Sequence, residues 1–178
     1  MKKINDTEWQ NIKPSSIFAP LKPGGYVARI VSVEDVADRE FLKIYFDIIE
    51  GDFTDYFREQ FNRFGDRWPN SGTLYRSYKQ SALGMFKRFI SCIEQSNPGF
   101  SWAWCESALN DADFGVVMVE DSYTDSQGVK HCSLKAKEVY TVEQIRGNKF
   151  YVPTQKKVTE PHGAFTELED ANESTLPF

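Results

Sequence analysis

The chain has 178 residues, 26 of them acidic and 21 basic, with a formal net charge of −5. That length holds one domain plus a tail; no apolar run reaches the ~20 residues that span a bilayer, and Met1-Lys-Lys-Ile-Asn-Asp lacks the apolar stretch of a secretory signal. Five acids and no Lys or Arg lie in Glu160–Phe178, so the acidity belongs to the tail and residues 1–159 are balanced.

Residues 1–23 read as an irregular arm, broken by Pro14, Pro20 and Pro23 and pinned by Trp9, Ile12, Ile17 and Phe18. Gly24-Gly25 opens a β-branched strand, Tyr26 to Val33. Phe41 to Ile49 alternates: Leu42, Ile44, Phe46 and Ile48 form a core face, while Phe41, Lys43, Tyr45 and Asp47 form the other. The short charged linker between them predicts an antiparallel hairpin. In Tyr56 to Lys79 an optional strand precedes a turn at Pro69 to Gly72 and a strand at Thr73 to Lys79. Ser81 to Gln95 carries Ala82, Met85, Phe86, Phe89, Ile90 and Ile93 at helical spacing, and Asn97-Pro98-Gly99 ends it. This helix packs on its own sheet; it could also pair subunits of a homo-oligomer. Trp102 and Trp104 would share a strand face, as a hydrophobic plug or as a second stacking platform. Phe114 to Tyr123 and Val129 to Tyr140 follow as strands, Thr141 and Gln144 have capping-box spacing for a short helix ending near Gly147, and Phe150 to Val152 is a last short strand.

This order predicts a mainly β (α+β) fold: an OB-like five-stranded barrel with one inserted amphipathic helix and a disordered acidic tail. The expected divisions are an arm (1–23), the barrel domain (24–157) and the tail (158–178). A small sandwich or another α+β sheet are the alternatives. A doubly wound sheet does not fit, because strands and helices do not alternate.

The stretch Tyr56 to Lys79 holds seven aromatics, five basic residues and two acids. Binding single-stranded DNA without reading its sequence needs rings for base stacking and cations along the phosphates. Arg63, Arg67 and Arg76 are the phosphate candidates, with Arg58, Lys79 and Lys43 in support. Trp68, Tyr75 and Tyr78 are the stacking candidates, with Phe64 and Tyr45 beside them. Tyr75 and Arg76 point to opposite faces of one strand, so part of this set must be core.

The last residues are Glu167-Leu-Glu-Asp-Ala-Asn-Glu-Ser-Thr-Leu-Pro-Phe178. Pro stiffens the end, and a basic-rimmed apolar pocket could take the Phe ring and terminal carboxylate. Leu176-Pro177-Phe178 behind Glu169, Asp170 and Glu173 resembles the tip of bacterial single-stranded DNA-binding proteins, an acidic stretch closed by a hydrophobic-Pro-Phe peptide. That resemblance implies recruitment of replication and recombination proteins by the tip and DNA binding by an OB domain. The acids are more dispersed here than in that family. The body also resembles prophage proteins of Gram-positive bacteria encoded among recombination and replication genes. It does so through Pro23 to Tyr26, Phe41 to Ile48, Tyr75 to Lys79 and Asn97 to Phe100. This implies a bacterial host cytosol.

No Gly-rich phosphate loop, His-Glu-x-x-His or paired-Cys motif is present, so no catalytic residue, metal or cofactor is expected. Cys92, Cys105 and Cys132 match no zinc or redox spacing, and their odd number argues against a closed disulfide set. The leading expectation is a non-catalytic protein that coats single-stranded DNA in phage replication or recombination. The rivals are a protein–protein adaptor or inhibitor of host factors, and a recombination annealing protein or nuclease accessory factor.

Overall fold

The computed structural model describes residues 5, 19–65, 67–124 and 128–153, with 123, 124, 130 and 131 through their backbone alone. Trp9, Ile12, Ile17 and Phe18 of the arm, and every residue assigned to the tail, lie outside the described residues.

Two strands, β1 (Gly24–Val36) and β2 (Phe41–Ile48), form the expected hairpin around a 3-10 turn at Ala37–Arg39. The alternation in β2 sorts as predicted: Leu42, Ile44, Phe46 and Ile48 are buried, and Phe41, Lys43 and Tyr45 are half-buried on the opposite face. The remaining strands are β3 (Thr73–Ser77), β4 (Asp113–Thr124) and β5 (Lys130–Tyr140). They hydrogen-bond in the order β3-β2-β1-β4-β5, and every pairing is antiparallel.

Strand β1 is long because it serves two partners. Gly24 to Arg29 pair with β4, and Ala28 to Val36 pair with β2. The register slips between Ile30 and Ser32, where Val31 is the extra residue of a β-bulge. A bulge bends and twists the strand, which lets one strand turn from one half of the sheet into the other. The edges β3 and β5 thereby approach each other, and Arg76 Nη2 reaches the Lys137 carbonyl at 3.5 Å. The result is a nearly closed, OB-like barrel.

Helix α2 is Leu83–Ser96, preceded by a 3-10 turn at Gln80–Ala82. Its stripe of Phe86, Phe89, Ile90 and Ile93 is buried against the barrel. Asn97 stops it: the side-chain amide donates to the carbonyls of Ile93 and Asp113, and its oxygen accepts the Asp113 N–H. One side chain thus ends the helix and anchors β4.

Three expectations are corrected. Ahead of β3 the chain forms a helix, α1 (Tyr56–Phe64), rather than a further strand. Phe57, Phe61 and Phe64 fall at helical spacing, and β2 supplies the missing cap. Asp47 Oδ1 accepts the N–H of Phe57 at 2.9 Å, and Oδ2 accepts that of Arg58 at 3.1 Å. Trp102 and Trp104 lie in an irregular segment, not a strand. Phe150 to Val152 also form no strand; Phe150 and Val152 pack on Val27, Val117 and α3 (Val142–Arg146). The capping box of α3 is present as the spacing of Thr141 and Gln144 predicts.

Candidate nucleic-acid interface

Residues directly opposite in an antiparallel ladder share a face. Register therefore sets three rows across the outside of β1, β2 and β3: Val36–Phe41–Ser77, Glu34–Lys43–Tyr75 and Ser32–Tyr45–Thr73. Lys43, Tyr45 and Tyr75, predicted from separate stretches, are thereby brought together. Phe41 joins them on the face that the alternation of β2 assigns it, paired across to Ser77. The Phe41 and Tyr75 rings meet edge to face at 5.8 Å. Tyr75 is 52% exposed, a large value for a ring in a strand.

The electrostatics of this face are divided. Lys43 Nζ sits 4.9 Å from the Tyr45 ring centroid and 3.7 Å from Glu34, and the Tyr45 hydroxyl donates to Glu34 at 3.0 Å. The contact with Tyr45, followed by Glu34, pushes the Lys43 pKa up, so this cation keeps its proton at neutral pH. A partly exposed ion pair is worth only about 0–1 kcal/mol, so an arriving phosphate can compete for Lys43.

Beyond Tyr75 a groove of about 530 Å³ runs between the barrel edges, with Thr73 and Tyr75 on one bank and Leu134, Lys135 and Ala136 on the other. Lys135 is ion-paired with Asp121. Through Asn70 the groove adjoins a second hollow of about 620 Å³, lined by Gln60, Phe64, Arg67 and Trp68. Helix α1 forms the wall of that hollow. Only Phe57 of its apolar stripe is buried; Phe64 is 76% exposed, with the Arg63 guanidinium 5.9 Å from its ring centroid. Arg67 is exposed at the mouth. Trp68 is fixed rather than free, its indole N–H donating to the Gly72 carbonyl at 3.0 Å and its ring tilted against Phe61 at 5.8 Å. Gly72 must lack a side chain, because a Cβ would stand 2.7 Å from both Phe57 Cγ and Trp68 Nε1.

Other predicted residues are set apart. Arg76 points to the inner side of β3, donates to the Tyr75 carbonyl at 3.0 Å and bridges to β5. Burial there lowers its pKa to about 10. Tyr78 packs on Phe86 and donates to Asp35 at 2.9 Å. The Arg58 side chain lies 3.9 Å from the Asp47 carboxylate that caps its helix. Lys79 is exposed two residues past β3, beyond the three rows. Glu169, Asp170, Glu173, Leu176, Pro177 and Phe178 lie outside the described residues.

A separate aromatic cluster occupies one end of the barrel. Trp104 is 76% exposed and stacks on Phe86 at 6.5 Å with an interplanar angle of 21°. Its φ is 57°, a left-handed conformation that costs a side-chain-bearing residue roughly 1–2 kcal/mol. The half-buried Trp102 meets both rings, at 6.1 Å from each.

Among the described residues no group of three or more His, Cys, Asp or Glu is placed to hold a metal ion, and no helix is long and apolar enough to cross a membrane. The chain matches no protein-family model, and no curated protein matches it.

Proposed function

We propose that the chain binds single-stranded DNA with little sequence preference and without chemical change to it, using the outer face of β2–β3 and the hollow walled by α1. The observation that carries this reading is the surface shared by Phe41, Lys43, Tyr45 and Tyr75, continuous through Asn70 with Phe64, Arg67 and Trp68. In OB-like barrels the strand 2–3 face is where oligonucleotides lie. Exposed rings give each base a stacking platform, and Lys43, Arg67 and Arg63 supply charge for the backbone. The sequence of the acidic tail supports a second role, in which Leu176, Pro177 and Phe178 dock on replication or recombination proteins and Glu169, Asp170 and Glu173 speed the encounter. Its likeness to the tips of bacterial single-stranded DNA-binding proteins, and that of the body to prophage proteins, favours phage replication or recombination as the setting.

The test is a titration of the full chain with oligothymidylate at two salt concentrations, followed by tryptophan emission. Binding should quench Trp68 and weaken with salt, with a log–log slope of about −0.7 per phosphate neutralised. An unresponsive emission and no bound oligonucleotide at low salt would leave the protein-adaptor reading in its place. Shortening of the oligonucleotide on addition of Mg²⁺ would contradict the non-catalytic part.

A further inference from the structure

The aromatic cluster at the end of the barrel encloses a cavity of about 150 Å³ that the DNA-binding reading does not use. Tyr78, Phe86, Trp102 and Trp104 supply its rings, and Asp35 and Glu106 supply two carboxylates. No lysine or arginine among the described residues lines it. Asp38 and Glu40 are close enough to act electrostatically on the Tyr78 hydroxyl. The cavity is smaller than the roughly 300–1,000 Å³ of pockets that take drug-sized ligands, and suits the end of one long side chain.

Stacked rings present negative faces, and a guanidinium held against them gains both cation–π attraction and planar stacking. Carboxylates beside the rings add charge-assisted hydrogen bonds in the fork geometry that arginine offers. A phosphate-bearing strand meets the opposite situation, since Asp35 and Glu106 repel it. The chain's own acidic tail is repelled for the same reason. We propose that this cavity is a docking site for an arginine side chain presented by a protein partner, separate from the surface that grips DNA. Asp35, already oriented by the Tyr78 hydroxyl at 2.9 Å, and Glu106 receive the guanidinium, while the exposed Trp104 indole covers it.

The experiment is a titration of the ¹⁵N-labelled full chain, reading its tryptophan indole resonances. The probes are acetyl-Gly-Arg-Gly-amide and the neutral acetyl-Gly-Gln-Gly-amide; Trp104→Ala identifies the indole signals. The arginine peptide should shift the Trp102 and Trp104 signals saturably, the glutamine peptide should not, and Glu106→Gln should weaken the response by about tenfold. Because Glu106 lines neither the groove nor the hollow assigned to DNA, Glu106→Gln should bind oligothymidylate as wild type does. Equal shifts with both peptides, or none with either, would overturn the proposal. So would an oligothymidylate that shifts the same two indoles and displaces the peptide, because the cavity would then belong to the nucleic acid.

Discussion

Tyr75 is the residue on which the proposed interface turns, since it is the most exposed strand ring among the described residues, sits in the Lys43 row and borders the groove. Base stacking on an aromatic side chain is worth about 1–3 kcal/mol, so Tyr75→Ala should weaken oligothymidylate affinity about 5- to 150-fold. Tyr75→Phe should retain nearly all of it, which separates stacking from hydrogen bonding; the measurement is Kd at fixed salt. Asp47 illustrates the other kind of residue, one whose hydrogen bonds serve the fold. Its buried carboxylate accepts the N–H groups of Ile48, Phe57 and Arg58. Asp47→Ala orphans those donors and should cost about 1–3 kcal/mol in chemical denaturation. Burial pushes the Asp47 pKa up, outweighing the downward pull of the three N–H groups. A carboxyl that binds its proton more tightly when folded favours the fold at low pH and opposes it as pH rises. Relative to Asp47→Asn, wild type should therefore lose stability as pH increases from about 4, the ordinary carboxylate range.

Arg67 and Arg76, both phosphate candidates on sequence, part company once β3 and α1 are in place. Arg76 closes the seam between β3 and β5, whereas Arg67 stands exposed at the mouth of the hollow. Arg76→Ala should lower stability by about 1–3 kcal/mol and leave the salt slope of DNA binding unchanged, because what it removes is charged hydrogen bonding between strands. Arg67→Ala should leave stability unchanged and flatten the slope by about 0.7, one phosphate's worth. The strands, α2 and α3 were legible from local pattern: alternation in β2, the stripe of Phe86, Phe89, Ile90 and Ile93, and the capping box at Thr141. Helix α1 carried a legible stripe too, in Phe57, Phe61 and Phe64. It was obscured because a run rich in aromatics also suits a strand, and because its cap, Asp47, comes from β2. The candidate site was half legible. Its residue types were apparent, but which of them share a surface depends on ladder register and on the bulge at Val31, which are long-range properties.

As a whole the molecule separates its surfaces by charge. Rings and Lys43 occupy the outside of β2–β3, rings and Arg67 the hollow beside α1, and rings and carboxylates the cavity at the barrel's end. The bulge in β1 turns the sheet on itself and β3 and β5 come together at Arg76, so one barrel presents these surfaces. A polynucleotide should therefore follow a single fixed track rather than wrap the protein. The most direct measurement of that track is photocrosslinking to oligothymidylate carrying 5-iodouracil, with mass spectrometry to locate the adducts. Crosslinks at Phe41, Tyr45, Tyr75, Phe64 or Trp68 are the outcome the proposed interface requires. Adducts confined to Trp102, Trp104 or Tyr151, or no adduct while the oligonucleotide is bound, would contradict it.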